Sequence, residues 1–272
     1  SAALGFGGAI PPSPGFATQT LTEEYNGSGW ANGGALGTAR YCIGGCGTQT
    51  AGLAFGGNYP ARKNETEEYN GSSWSEQNNL STARRSMGSS GTQTAALASG
   101  GDAPPGVTPV TNTEEYDGTS WTNGGALNTA RSGVAMGPAG IQTAAVIAGG
   151  YTGSVSDAVE HYDGSSWTNA TSLPAIRSNS GFAGLQTAGL VFGAVSPART
   201  TSTLKYDGTS WTTAPSLATT VGGNVGTGTQ SAALNFGGST SSTVSTANTE
   251  EFTSSANVIT AAAWASGGNV NN

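Results

Sequence analysis

The sequence has few of the side chains from which catalytic and metal sites are built. Only 9% of its residues are charged, and it contains a single histidine, His161, and two cysteines. Transition metals in proteins are held mainly by clustered His, Cys and carboxylate groups. The composition therefore predicts a non-catalytic protein that holds no metal and no cofactor.

Positive charge and long apolar runs are also scarce. Lys and Arg number 9 against 16 Asp and Glu, which gives a formal net charge of −7. This balance disfavours binding to nucleic acid or to an anionic membrane. No apolar run approaches the roughly 18 residues that a membrane span needs. We therefore expect neither a nucleic-acid partner nor membrane insertion.

The two cysteines, Cys42 and Cys46, lie four positions apart. On an extended strand they would be roughly 13 Å apart, which is too far for a disulfide. The intervening Gly44–Gly45 pair could bend the chain, so a bridge stays open as the alternative. The favoured interpretation is that both cysteines serve only as small side chains, at positions where other copies of the repeat have Ser or Gly.

What the sequence has in abundance is glycine, with 44 residues, and repetition. An aromatic residue marks six copies of one unit, at Tyr25, Tyr69, Tyr116, Tyr162, Tyr206 and Phe252. Their spacings are 44, 47, 46, 44 and 46 residues, and around a closed circle of 272 the step from last to first is 45. A period of this length that closes on itself is typical of a radial repeat.

Each copy contains four short segments with strand character. In one copy they begin at Arg84, Gln93, Thr113 and Trp121. An Asn-Gly or Asp-Gly pair separates the third segment from the fourth, as a tight hairpin requires. Four short antiparallel strands per 45 residues make a propeller blade. The sequence therefore predicts an all-β fold: a six-bladed β-propeller of four-stranded antiparallel blades, in one domain over residues 1–272.

The order of these motifs resembles the kelch repeat. In that family a double glycine ends the second strand, a Tyr lies on the third and a Trp opens the fourth. The resemblance covers all six copies and implies the architecture, whereas kelch-like propellers serve many functions. The recurring GTQTAALA and EYDGTSW segments are also similar to propellers encoded by bacteriophages of aquatic bacteria, which are associated with virion fibres or tails. This implies a virion or extracellular location, with virion proteins, a host surface glycan or a receptor as partners.

The ends of the sequence depart from the repeat. Residues 1–8 have the pattern of a second strand with no first strand before it. Trp264 follows Phe252 by twelve positions, where the other copies have five. One blade is therefore expected to be a strand short, unless the inserted segment Ser255–Ala263 fills the place.

Charged residues within the repeat predict structural ion pairs. Four glutamates each precede an arginine by 17 residues, in the pairs Glu23 and Arg40, Glu67 and Arg84, Glu114 and Arg131, and Glu160 and Arg177. In the fifth copy both charges are absent, at Leu204 and Val221. We interpret the pattern as an Arg–carboxylate bridge from the third strand of one blade to the first strand of the next. The alternative is that these charged residues lie on the solvent-exposed surface and vary between copies without any structural constraint.

Enzymes built on similar propellers were considered as alternatives. Copper radical oxidases of the galactose oxidase type need two His ligands, and only His161 is present. The DGTSW segments resemble the Asp-box of sialidases, but Asp117 precedes Trp121 by four positions where that motif has five. We therefore predict no enzyme, with a carbohydrate-active enzyme as the alternative and a kelch-type protein-interaction adaptor as the second. His161 is expected to be an exposed strand residue, and the repeated tryptophans are expected to pack between blades.

The loops that join second to third strands differ most between copies, and alternating strand direction places them on one rim. This rim carries the unrepeated aromatic and charged residues Phe16, Tyr59, Arg62, Lys63, Asp102, Tyr151 and Arg199. Function in a repeat scaffold concentrates where copies differ, and such side chains favour contact with a glycan or a partner protein. We therefore predict a ligand-binding rim, with simple tolerance of insertions as the alternative. Assembly into a larger complex is left open.

Overall fold

The computed structural model describes residues 2–10, 17–135, 137–254 and 263–266. Within these ranges every regular element is a β-strand, and the strands form six blades, one from each copy of the unit. The predicted all-β, six-bladed propeller is therefore confirmed. The same ranges contain no helix long and apolar enough to span a bilayer.

The strands of each blade follow one another along the chain. Blade one contains β1 (Ala3–Phe6), the ribbon β2 (Ala9–Ile10) and β3 (Ala17–Thr18), then β4 (Thr22–Tyr25) and β5 (Trp30–Asn32). Blade two contains β6 (Gly44–Thr48), β7 (Ala51–Phe55), β8 (Thr66–Tyr69) and β9 (Trp74–Gln77). Blade three contains β10 (Gly88–Thr92), β11 (Ala95–Ser99), the ribbon β12 (Asp102–Ala103) and β13 (Thr108–Pro109), then β14 (Thr113–Tyr116) and β15 (Trp121–Asn123).

The second half of the chain repeats this order. Blade four contains β16 (Gly140–Ile141), β17 (Ala144–Ala148), β18 (Val159–Tyr162) and β19 (Trp167–Ala170). Blade five contains β20 (Gly181–Leu185), β21 (Ala188–Phe192), β22 (Thr203–Tyr206) and β23 (Trp211–Ala214). Blade six contains β24 (Val225–Thr229), β25 (Ala232–Phe236), β26 (Thr249–Thr253) and β27 (Ala263–Ser266).

The hairpin between third and fourth strands has the chemistry that the sequence predicts. In blade three Tyr116 lies opposite Trp121, and Gly118 has a φ of 91°. The Asp117 carboxylate accepts hydrogen bonds from the N–H groups of Thr119 and Ser120, each at 2.8 Å. Such a side-chain bond fixes the turn and hence the register of the two strands.

Blade one differs from the other five because three strands of its sheet lie among the described residues, in the order β1-β4-β5. Blade six has four, since β27 pairs with β26 and places Trp264 opposite Phe252. In the part of the chain that the structure describes, the sheet with one strand fewer is therefore that of blade one. Apart from Ala263, the inserted segment Ser255–Ala263 lies outside the described residues.

Tryptophans join neighbouring blades. The Trp121 ring meets Phe55 of blade two edge-on at a centroid distance of 5.0 Å, and its Nε1 donates to Thr66 Oγ1 at 2.9 Å. Between blades one and six, Trp30 Nε1 donates in the same way to Thr249 Oγ1 at 2.9 Å. Buried aromatic pairs contribute about 0.5–1.5 kcal/mol beyond their burial. The expected packing role of these residues is confirmed.

The ion pairs form within blades, so the predicted partners were wrong. The observed pairs are Arg40–Glu67 at 2.7 Å, Arg84–Glu114 at 2.9 Å and Arg131–Glu160 at 2.5 Å. The predicted pairs Glu23–Arg40, Glu67–Arg84, Glu114–Arg131 and Glu160–Arg177 do not form. Each of the three paired arginines stands just before the first strand, and its guanidinium reaches across to the third strand of its own blade. Both partners are fully buried, so surface drift is also excluded for these three.

One residue in each of blades two to six, two positions after the arginine site, has a left-handed backbone. These are Cys42, Ser86, Gly133, Asn179 and Gly223, with φ between 51° and 69°. The N–H of each donates to the carbonyl of the previous one, in the bonds Ser86 to Cys42 at 3.0 Å, Gly133 to Ser86 at 2.9 Å, Asn179 to Gly133 at 2.7 Å and Gly223 to Asn179 at 2.8 Å. This backbone ladder links five blades in sequence.

Candidate functional site

The variable loops are held together at one end of the propeller. Each begins with a residue that forms a backbone bridge to the residue after the arginine position, in the pairs Tyr41–Asn58, Arg85–Asp102, Ser132–Tyr151, Ser178–Ser196 and Gly222–Ser239. The arginine positions lead directly into the left-handed residues of the backbone ladder. The loops of blades two to six therefore start beside that ladder, on a common rim.

Two of the predicted rim residues, Arg62 and Asp102, contact each other. Arg62 Nε lies 2.6 Å from Asp102 Oδ1, and Arg85 Nε lies 3.1 Å from Oδ2 of the same carboxylate. Arg62 also donates from Nη2 to the Gly106 carbonyl at 2.6 Å. Because Asp102 is buried beneath two guanidinium groups, these residues fasten the loop of blade two to that of blade three.

The other predicted residues are separated along the rim. Lys63 pairs with Glu65 at 2.9 Å, and Arg199 donates to the carbonyl of Ser239 at 3.0 Å. Tyr59 and Tyr151 are 47% and 41% exposed and present their rings to solvent. Phe16 lies outside the described residues. Of the predicted residues that the structure describes, the two exposed tyrosines have the most surface available to a ligand.

A pit of about 300 Å³ opens on this rim between blades three, four and five. Its polar wall residues are Ser86, Asp102, Ser132, Tyr151, Ser178, Asn179 and Ser196. Its volume is at the lower end of the range for small-molecule sites. Hydroxyl and amide groups line it together with the apolar side chains of Val107, Val155 and Val195. The Asp102 carboxylate in its wall is already neutralised by arginine. This arrangement suits hydrogen bonding to an uncharged polar ligand beside an aromatic ring.

Sequence reasoning found the pit only in part. It named Asp102 and Tyr151 but missed Ser132, Ser178 and Asn179, because these three residues lie outside the long variable loops. The missed residues lie one or two positions after the arginine site, where the copies differ from one another. That variation directly after a repeated residue was the available signal.

A larger cavity of about 610 Å³ is lined by residues of all six blades. Most of its walls come from blades one, two and six, and Ser89, Pro138 and Asn179 belong to blades three, four and five. Its walls include β1, the residues leading into β6 and those of β24. Cys42 and Cys46 both line it and are free thiols, so the expectation of no disulfide is confirmed. Cys46 is buried and donates to the Thr92 carbonyl at 3.4 Å.

The described residues contain no group of three His, Cys, Asp or Glu side chains placed to hold a metal. His161 is half-buried, which corrects the expectation of an exposed residue. Its ring meets Tyr206 edge-on at a centroid distance of 5.6 Å, and its Nε2 has no hydrogen-bond partner. Burial lowers the pKa of this imidazole. The arrangement is that of a packing residue between blades four and five.

Comparison with known proteins identifies the fold and no more. No family model and no curated protein matches the sequence, so the kelch resemblance stays a prediction. Among solved structures, one described as "Structure of YjhT" matches with a TM-score of 0.74 and 12% identity, covering 95% of this chain and 96% of that one. At this identity the likeness supports the six-bladed propeller alone.

Proposed function

We propose that this propeller is a non-catalytic binding module that acts outside the cell, as a tail or fibre component of a bacteriophage virion. Its ligand is an uncharged glycan of the host surface, bound in the pit between blades three, four and five. The virion assignment rests on the resemblance of the repeated segments to phage-encoded propellers. The ligand class rests on the pit itself.

The observation that carries the proposal is the chemistry of the pit wall. Ser132, Ser178 and Asn179 supply donors and acceptors in one concave surface, with the exposed Tyr151 ring beside them. Sugar hydroxyls need hydrogen bonds of this kind, and the apolar face of a pyranose packs on an aromatic ring. A net charge of −7 makes a neutral glycan a better ligand than an anionic one.

The test is binding of the purified protein to host cells and to an array of neutral glycans. Tyr151→Ala should weaken binding at least about tenfold, since truncating a central aromatic contact has effects of that size. Tyr59→Ala is the matched control, because Tyr59 is equally exposed on the same rim but does not line the pit. Equal losses for both variants, or none for either, would contradict the proposed site.

Catalysis is tested in the same samples by measuring reducing-sugar release and altered glycan masses. The proposal predicts that bound glycans are recovered unchanged. Turnover that disappears in Tyr151→Ala would show that the pit is an active site instead.

A further inference from the structure

Four Asn-Gly pairs occur in the sequence, and the fold places them in two different settings. Asn26-Gly27 and Asn70-Gly71 lie in hairpins between third and fourth strands. Asn32-Gly33 and Asn123-Gly124 lie where a fourth strand ends. All four asparagines are exposed. Because the dipeptide and its exposure are the same in each case, a difference in its chemistry comes from the surrounding backbone.

The glycine nitrogen is held by the sheet at the strand ends and is free in the hairpins. The Gly124 N–H donates to the Thr113 carbonyl at 3.0 Å, and Gly33 donates in the same way in blade one. Among the described residues, the N–H groups of Gly27 and Gly71 make no such backbone bond. In the hairpins the nitrogen can therefore approach the preceding side chain without first opening the sheet.

The carboxamide of each hairpin asparagine is polarised by the turn. Asn70 Oδ1 accepts hydrogen bonds from the N–H groups of Ser72 and Ser73 and from the Ser72 hydroxyl, each at 2.9 Å. The Asn26 oxygen accepts three corresponding bonds at 2.9, 2.9 and 3.1 Å. Donors placed on a carbonyl oxygen stabilise the negative charge that develops there when a nucleophile attacks the carbon. The hairpin thus activates the carboxamide carbon next to an unbonded glycine nitrogen.

The other hairpins show that the product of such an attack fits the turn. At the equivalent position blades three, four and five have Asp117, Asp163 and Asp207. The Asp163 carboxylate accepts the N–H groups of Ser165 and Ser166 at 2.8 and 2.7 Å. This is the arrangement that Asn70 makes in blade two, so an aspartate formed there keeps the same backbone bonds.

We propose that Asn26 and Asn70 are sites of self-modification, where the folded protein converts asparagine to an acidic residue. The reaction is written for Asn26. Hydroxide removes the Gly27 N–H proton, and the nitrogen bonds to Asn26 Cγ. The Cγ–Nδ2 bond then breaks, and the leaving nitrogen takes a proton from water and departs as ammonia.

Water opens the cyclic imide that remains. It adds to Cγ and breaks the new C–N bond, which restores the Gly27 N–H and leaves an aspartic acid that ionises. Addition at the Asn26 backbone carbonyl gives isoaspartate instead. Each conversion adds one negative charge to a protein of formal net charge −7. The proposal does not depend on glycan binding, since these hairpins lie on the rim opposite the variable loops.

The experiment incubates the purified protein in mildly alkaline buffer and follows the four asparagines by digestion and peptide mass spectrometry. Both products give the same mass gain. Asn26 and Asn70 should react at least about tenfold faster than Asn32 and Asn123, whose glycine nitrogens become free only when the sheet opens locally. The control is the same protein unfolded in urea, where the four rates should become similar.

Two variants test the contribution of the turn. Ser72→Ala removes one donor from Asn70 Oδ1 and should slow conversion of Asn70 about threefold, with Asn26 as the unchanged internal reference. Asn70→Asp imitates the product and should unfold at the same urea concentration as the parent protein. The proposal is overturned if the folded protein keeps both hairpin amides while the unfolded chain loses them, or if the strand-end asparagines react as fast as the hairpin ones.

Discussion

Blades four and five have the same repeat pattern, but their buried arginines differ in the partners that they bind. In blade four Arg131 binds Glu160 and donates to the carbonyls of Gly149 and Ala158. The second oxygen of Glu160 accepts the N–H of Asn128 at 2.7 Å. The buried Arg131–Glu160 pair thus links the variable loop, the third strand and the connection from the preceding blade.

Blade five keeps the arginine but lacks the rest. Leu204 replaces the glutamate, and Pro174, which has no N–H, replaces the residue that donated to it. Arg177 is nevertheless buried, and its Nε and Nη1 have no hydrogen-bond partner. Burial lowers the pKa of this guanidinium. Its Nη2 keeps one hydrogen bond, to Ser202 Oγ at 3.4 Å, and Leu204 leaves it no carboxylate. A buried charge without a carboxylate partner is costly, so blade five carries a cost that blade four avoids.

Blade six shows the opposite loss. It has Val221 at the arginine position and keeps Glu250, which accepts the N–H groups of Ala218 and Thr219 at 2.7 and 3.0 Å. The carboxylate is therefore held by backbone donors without an arginine. The comparison teaches that the glutamate and its N–H partners stay bonded without the arginine, whereas the arginine without the glutamate has nitrogens with no hydrogen-bond partner.

The largest effect is expected when blade four is converted to the state of blade five. Glu160→Leu leaves Arg131 buried without its carboxylate and should lower the free energy of unfolding by about 3 kcal/mol. Urea denaturation measures this loss. Adding Arg131→Val should restore part of it, whereas Glu114→Leu and Arg131→Val should be additive, since those two residues are not partners. Coupling between Glu114 and Arg131 instead would contradict the within-blade pairing.

The converse change removes the buried charge that has no carboxylate partner. Arg177→Val gives blade five the residue that blade six has at this position, and it should stabilise the protein by about 1 kcal/mol or more. Thermal and urea unfolding of the variant would show it. A destabilisation as large as that from Arg131→Val would mean that Arg177 has a strong partner after all.

The tyrosine on the third strand offers a smaller contrast. Tyr162 donates its hydroxyl to Glu115 of blade three, and burial together with this bond raises the pKa of Tyr162 to about 12. Tyr206 stands beside His161 instead and donates to the Gly208 carbonyl at 2.9 Å. Tyr162→Phe should cost about 1.5 kcal/mol, as for a bond to a charged group, and Tyr206→Phe about 0.5 kcal/mol. If urea denaturation gives the same loss in free energy of unfolding for both variants, the two tyrosine hydroxyls do not differ in the way described.

The smallest effect concerns the exposed turns and appears only in acid. Hydrogen bonds from the N–H of Ser166 and from Ser165 lower the pKa of Asp163 to about 2. Because the folded pKa lies below the ordinary value of 3.8, this stabilisation is present above pH 4 and is lost as the pH falls towards 2. Asp163→Asn copies Asn70 of blade two and should flatten that part of the stability curve while changing little at pH 7. If the free energy of unfolding of the variant falls as steeply between pH 4 and pH 2 as that of the parent protein, the Asp163 turn does not contribute in this way.

The sequence predicted the fold well because each local signal repeats six times. The spacing of Tyr116 and its equivalents, and the Gly118 turns, each specify the same blade. The ion-pair partners were missed for a physical reason. Glu114 and Arg131 keep a constant separation because the short hairpin and connection between them do not vary, whereas a variable loop lies between each arginine and its true partner. The true separations therefore differ, at 27, 30 and 29 residues, and no fixed spacing reveals them.

The candidate site was predicted as a rim and not as a pit. Unrepeated aromatic and charged residues pointed to the right loops, including Tyr151. Sequence alone could not show that Arg62 and Asp102 neutralise each other, since they lie 40 positions apart in neighbouring blades. Nor could it show that Asn179 lines one pit with Tyr151, because the two residues belong to neighbouring blades.

The most direct test of the proposed function is a structure of the protein with a neutral glycan selected by the binding assay. We expect the sugar in the pit, with its ring against Tyr151 and its hydroxyls bonded to Ser132, Ser178 or Asn179. A glycan bound instead at the opposite rim, beside the turns of Asp117 and Asp163, would contradict the account.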